Sequence, residues 1–261
     1  MTGLRYVYAV CRPFEASAED VPAGVAGVPP RQLPHGGLIA IVGTVPEDDF
    51  AEGPLRAHLE DLDWLTATAR AHQGVIDALT SVTTPLPLRL ATVFRDDSGV
   101  RAMLEEREDD FHRALDRLDG RVEWGVKVYA EAERREPPEG PQETSEPRKA
   151  ASGRDYLRRR RVQHHAQDEM REDTERFARG LHELLSGCAE DSLLHSPQNP
   201  ALSGASGRNV LNAAYLVPRS ASEAFVERVQ REESGIPGVR VELTGPWAAY
   251  SFSGVDGGSG S

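Results

Sequence analysis

Leu243-Thr244-Gly245-Pro246-Trp247-Ala248-Ala249-Tyr250-Ser251-Phe252 lies near the end of the chain and anchors the reading of its fold. It reads as two short strands, 239–243 and 248–252, broken at Gly245-Pro246, because proline fixes φ and removes a ladder donor. Just upstream, Ser220-Ala221-Ser222-Glu223 sets a hydroxyl three residues before a carboxylate, a capping box opening a helix with Phe225, Val226 and Val229. Before it come a strand at 210–217 and a short one at Leu193-Leu194. A long helix precedes them, starting at Ser152-Gly153-Arg154-Asp155 with Val162, Ala166, Met170, Phe177, Leu181, Leu184 and Cys188 on one face. The alternating run Val122-Glu123-Trp124-Gly125-Val126-Lys127-Val128-Tyr129 opens the series as a strand. The order is β-α-β-β-α-β, the split βαβ arrangement of ferredoxin-like domains. It predicts an antiparallel sheet with both helices on one face, and Trp247 and Tyr250 filling the crevice between final strand and helices.

The remainder predicts an α+β first domain over 1–119, with the ferredoxin-like domain spanning 120–254. A strand at 5–10 is followed by a Pro/Gly-rich loop to about Gly37 and a second strand at 38–45. From Pro54 a helix is expected, its face formed by Leu55, Leu59, Leu62, Leu65, Ala69, Ile76 and Leu79. A strand at 86–94 leads to Asp96-Asp97-Ser98, whose oxygens can cap a helix through Leu104, Phe111, Leu115 and Leu118. The stretch at about 131–151 is dense in Glu, Pro, Gly and Ser and nearly empty of apolar side chains, so it reads as a mobile insertion in the second domain. Residues 255–261 read as a disordered tail.

Composition sets limits on function. The 261 residues carry a formal charge of −12, which argues against general binding to nucleic acid or anionic membrane. Basic residues are overwhelmingly arginine, and 39% of the chain is hydrophobic, as in soluble proteins. No apolar run approaches the roughly 18 residues of a bilayer span. The N-terminus reads as a strand without the features of a signal peptide, so a cytoplasmic location is expected. Cys11 and Cys188 stand far apart and read as small buried residues in a reducing compartment.

Motifs for chemistry are weak. Arg158-Arg159-Arg160-Arg161 fans around its helix at about 100° per residue, and Asp168, Glu169, Glu172, Asp173 and Glu175 crowd the same helix. An ion-paired, solvated helix is the better reading. His164, His165 and Asp168 suggest a metal site, but zinc needs a third oriented protein ligand, and structural roles are preferred. His72 falls on an apolar helix face, where a lone histidine is usually satisfied by one hydrogen bond; Arg89 or a neighbouring carboxylate could provide it. Gly204-Ala205-Ser206-Gly207 lacks the lysine and helix start of a phosphate cradle. No catalytic constellation, cofactor or metal is expected.

Several segments in shared order resemble the gas vesicle protein F/L family. They are Tyr6-Val7-Tyr8-Ala9-Val10, Ala71-His72-Gln73-Gly74-Val75-Ile76, Pro87-Leu88-Arg89-Leu90-Ala91-Thr92-Val93-Phe94 and Glu123-Trp124-Gly125-Val126-Lys127-Val128. Ser152-Gly153-Arg154-Asp155-Tyr156-Leu157-Arg158-Arg159-Arg160, Leu211-Asn212-Ala213-Ala214-Tyr215-Leu216-Val217 and Thr244-Gly245-Pro246-Trp247 with Tyr250 and Phe252 complete the set. The family pattern reads Pro-Leu-Arg-Phe-Gly where this chain has Leu90 and Ala91, and Pro-Pro where it has Ala248-Ala249. The resemblance does not separate the two paralogue types. It implies a non-enzymatic accessory protein of gas vesicle assembly, with the major shell protein and other accessory gas vesicle proteins as partners. Trp247 and Tyr250 are candidate interface anchors, although core packing is the preferred reading of both. The competing reading is a small-molecule or metal-binding regulatory module, motivated by the topology and by His164 and His165.

Overall fold

The computed structural model describes residues 3–15, 22–131, 153–197, 207–233 and 237–254; over 153–160, 162–167 and 233 it describes the backbone alone. Residues 132–151 of the expected insertion, the tail at 255–261, Ser152 and the loop through Gly204-Ala205-Ser206 lie outside the described residues, as do the side chains of His164 and His165. The architecture mixes helix and sheet. The chain forms two compact units, one from Met1–Glu123, Leu216–Arg219 and Gly245–Ser261, the other from Trp124–Tyr215 and Ser220–Thr244.

The first unit is built on β1 (Leu4–Cys11), β2 (Arg31–His35), β3 (Leu38–Val45), β4 (Leu86–Pro87) and β5 (Val93–Phe94). The order is β2-β3-β1-β4, with β5 also paired to β1. β1 runs antiparallel to β3 from Leu4 opposite Val45 to Cys11 opposite Ile39, and the register shifts between Val7 and Ala9. That extra residue changes the parity of the strand. Tyr6 and Tyr8 before the shift, and Ala9 and Cys11 after it, all enter one core with Ile39, Ile41, Phe50, Val75, Ile76 and Leu79. Residues Tyr6 to Cys11 are all fully buried, which is why β1 reads as a continuous apolar run and not as an alternation.

Helices α1 (Glu47–Phe50), α2 (Glu52–His58) and α3 (Leu62–Val82) follow β3. The single helix expected from Pro54 is thus divided at Leu59. Asp61 provides the reason: its carboxylate accepts from the N–H groups of Asp63 (3.0 Å) and Trp64 (3.2 Å), an N-cap that starts a new helix. α4 (Asp97–Glu106) and α5 (Glu108–Leu118) also replace one expected helix, and Asp96 caps the first by accepting from Gly99 N at 3.0 Å. Arg5 donates to Asp97 at 2.7 Å and fixes the start of α4 against β1. β2 was expected as loop. It forms because Gly36 (φ 57°) and Gly37 (φ 77°) supply a two-residue hairpin turn that pairs His35 with Leu38.

The second unit carries β6 (Arg121–Ala130), α6 (Gly153–Ser186), β7 (Asp191–Leu194), β8 (Arg208–Pro218), α7 (Ser222–Glu233) and β9 (Val239–Trp247). Its sheet order is β7-β8-β6-β9. Trp124, Val126 and Val128 alternate into the core. There Trp124 and Tyr215 meet Phe225 of α7 at ring separations of 6.4 and 5.5 Å, and Tyr215 meets His182 of α6 at 5.8 Å. The expected capping box at Ser220 is displaced: Arg219–Ala221 forms a 3-10 turn, and Ser222 begins α7 while accepting from Trp124 Nε1 at 3.3 Å.

The end of the chain differs most from expectation. β9 continues to Trp247 through a cis Gly245-Pro246 peptide, and 250–252 is a 3-10 turn, Tyr250–Phe252, in place of a strand. Pro246 lacks a ladder donor, and Ala248 and Ala249 are small enough to press into the core, where they are 4% and 3% exposed. Ala248 joins the core of the first unit.

Candidate functional site

In the second unit, α6, the end of β7 and the start of β8 enclose an open groove of about 370 Å³. Ala178 and Leu211 form its buried floor, Leu194 its exposed apolar wall, and Arg179, His182, His195 and Arg208 its polar edge. Glu175 accepts from Arg208 at 2.9 Å and lies 3.4 Å from Arg171. The hydrogen bond from Arg208 holds its carboxyl below the usual range. Asn212 fixes the far wall, its amide donating to Ser196 O at 3.1 Å while its own carbonyl accepts from His195 N at 2.8 Å. His182 Nδ1 stands 2.9 Å from the Tyr215 hydroxyl, so one face of that ring serves the core. The groove thus combines buried Ala178, Leu211 and Asn209 with a mixed-charge rim.

The first unit holds a buried cluster of Tyr6, Tyr8, His72 and Tyr250. The Tyr6 hydroxyl accepts from Ala91 N at 3.1 Å and meets His72 Nδ1 at 3.0 Å. The hydroxyl has one proton and two lone pairs, so the contact with Nδ1 serves either tautomer of the ring. Nε2 and the Tyr250 hydroxyl are buried with no partner among the described residues. Burial lowers the His72 pKa to about 4, so the ring is neutral at pH 7. Burial likewise raises the hydroxyls of Tyr6 and Tyr250, and pushes Tyr8 up to about 12.

Of the residues singled out from sequence, His72 is held by Tyr6, not by Arg89 or a carboxylate. Trp247 is 38% exposed and does not fill a core, whereas Tyr250 packs partly against the core of the first unit. Asp168 is exposed. Among the described residues no group of three or more His, Cys, Asp or Glu is disposed to hold a metal. Cys11 is buried, its thiol raised to about 12 by burial, but Cys188 is exposed, contrary to expectation. Ser251 is tied to Glu123, whose carboxylate accepts from Ser251 N (2.8 Å) and Ser251 Oγ (2.7 Å). The groove around His182 and His195 was not foreseen. Its one sequence signal is a histidine beside the Leu181/Leu185 stripe of α6.

A long helix over a four-stranded sheet, joined to a five-stranded unit with a buried tyrosine–histidine core, matches known proteins along its length. The family model described as gas vesicle synthesis protein GvpL/GvpF matches residues 4–254, and the chain belongs to that family. It is 57% identical over 255 residues to gas vesicle protein L of Streptomyces sp. (strain CB03234), covering 97% of this chain and 93% of that protein. It is 28% identical to gas vesicle protein F of the same organism, covering 95% and 98%. Crystal structures of GvpF from Anabaena sp. PCC7120 (TM-score 0.67, 14% identity, 98% of each chain) and from Microcystis aeruginosa (TM-score 0.65, 17% identity, 97% and 99%) share the fold.

Proposed function

We propose that this chain is a non-enzymatic accessory protein of gas vesicle formation that binds shell subunits and other gas vesicle proteins during assembly. The observation that carries the reading is the family match over residues 4–254. The identities of 57% and 28% to the two Streptomyces relatives support an L-type assignment. We take the two compact units as two domains, the second ferredoxin-like, which its order β7-β8-β6-β9 supports. The expected second domain ended at 254; in this reading its last segment, from Gly245, is lent to the first.

Shell subunits that assemble around gas must carry apolar surface, which aggregates in water unless covered. A binding protein can cover it reversibly through grooves and apolar side chains. Work in the cytoplasm at the growing vesicle fits this role. The charge of −12 disfavours nucleic acid and anionic bilayers as partners, and no described helix is long and apolar enough to cross a membrane. The test is deletion of the coding sequence in a vesicle-forming host, with affinity capture of the tagged chain during shell synthesis. Loss of vesicles, restored by the gene, and recovery of the major shell protein are expected. Unchanged flotation and shell yield would refute the reading.

A further inference from the structure

We propose that the elbow between α2 and α3 is a docking surface for a basic amphipathic helix of a partner protein. Leu59 is 43% exposed and Leu62 is 75% exposed, while neighbouring Leu55 and Trp64 turn toward the core of the first unit. The two outward leucines are three residues apart across a tight turn, closed by Glu60 N to Ala57 O (3.2 Å) and Asp61 N to His58 O (3.0 Å). The turn rests on a firm base. Asp61 caps α3, His58 stacks on Trp64 at 4.9 Å and 11°, and Trp64 packs on Phe50 at 5.4 Å. A pair of leucines is therefore presented to solvent at little entropic cost to a partner, the preorganisation that tight contacts use.

Charge and backbone chemistry identify the occupant. Residues 47–63 carry seven carboxylates against the single arginine Arg56, which pairs with Glu52 at 3.7 Å. Glu60, Asp61 and Asp63, the acids next to the leucines, are all exposed. An apolar pair inside an acidic rim repels acidic partners and draws lysine and arginine. The elbow offers side chains but no sheet edge, so an extended partner would leave its own N–H and C=O groups unpaired where they are covered. A helix satisfies its backbone internally and carries apolar and basic residues on adjoining faces.

The inference goes beyond the proposed function and needs no other gas vesicle protein to test. Binding of the full-length chain to a fluorescent leucine/lysine peptide at helical spacing is followed by anisotropy at low salt. A leucine/glutamate peptide serves as the charge control. Leu59→Ser/Leu62→Ser should weaken leucine/lysine binding by about tenfold, since the two leucines are the apolar area that the peptide covers. Glu60→Gln/Asp63→Asn should weaken it several-fold and flatten its salt dependence. Glu172→Gln/Glu227→Gln, an equal loss of charge in the second unit, should leave it within about twofold, with circular dichroism confirming that each variant folds. No binding of the leucine/lysine peptide, an unchanged affinity in the leucine variant, or an equal loss in both charge variants would overturn the proposal.

Discussion

His72 makes the stability of the first unit depend on pH in a way that can be calculated. Its ring is 3% exposed, sits among Tyr6, Tyr8 and Tyr250, and has a pKa near 4 against 6.5 for the ordinary side chain. Between those values the unfolded chain binds a proton that the folded chain refuses, so the His72 contribution to stability falls as pH falls from 6.5 to 4 and is flat outside that window. At 1.36 kcal/mol per unit the full window is worth about 3 kcal/mol, of which about 2 kcal/mol is lost by pH 5. The sign is that of a depressed base: the contribution is fully present above pH 6.5.

Carboxylates also titrate toward the acid end, so the informative quantity is a difference between two proteins. His72→Asn places a side-chain amide about where Nδ1 stands and keeps a hydrogen-bond partner for Tyr6, but cannot take a proton. It should lower stability at pH 7.5 by about 1–2 kcal/mol through lost ring packing. Its stability should then fall about 2 kcal/mol less than that of the parent between pH 7.5 and pH 5. Urea unfolding is followed through tryptophan fluorescence, with hydrogen exchange of β1 amides isolating the first unit. Parallel pH curves for the two proteins would refute the argument.

Three further changes test particular contacts. Ala91 holds φ at 63°, where an L-residue is strained by about 1–2 kcal/mol, so Ala91→Gly should raise the melting temperature, the net gain being about 0.5–1 kcal/mol after the added freedom of the unfolded chain. A Cβ on Gly24 would lie 2.2 Å from the hydroxyl of Tyr8, which accepts from Val25 N at 2.8 Å; Gly24→Ala should destabilise by about 2 kcal/mol in urea titrations. Asp61→Ala removes the cap of α3 and should cost about 1 kcal/mol, read as faster exchange in its first turn.

Strands β1, β3, β6 and β8 were legible within a residue or two because their burial follows directly from apolar side chains. What escaped depends on single residues that reset a local pattern. The shift beside Tyr8 has no composition signal, since tyrosine and alanine fit either face. Ala91 ends a strand pairing by adopting positive φ, so 86–94 reads as one strand but forms β4 and β5. The Gly36-Gly37 turn was written in the sequence, but Pro34 beside it made the segment look like loop. Leu59 and Leu62 fit the apolar period of a buried face and yet point outward, because the Asp61 cap starts a new helix between them. Periodicity counts apolar residues without knowing whether a cap has rotated the face. The groove of the second unit was illegible for a different reason: its walls come from 175–182, 194–197 and 208–212, segments that only the folded sheet brings together.

The strongly perturbed ionisable groups bear on how such a protein works. Tyr6, Tyr8, Cys11, His72, Tyr215 and Tyr250 are all shifted first by burial, and always toward the neutral form. A general acid or base needs a shift that puts its pKa near the working pH and a position within reach of substrate. Burial shifts these groups away from pH 7: the four tyrosine hydroxyls stay protonated and the His72 ring stays neutral. The hydroxyls of Tyr6 and Tyr8 also accept from the backbone N–H groups of Ala91 and Val25. The Leu59/Leu62 elbow stands on that same core through Phe50, on which Trp64 packs at 5.4 Å.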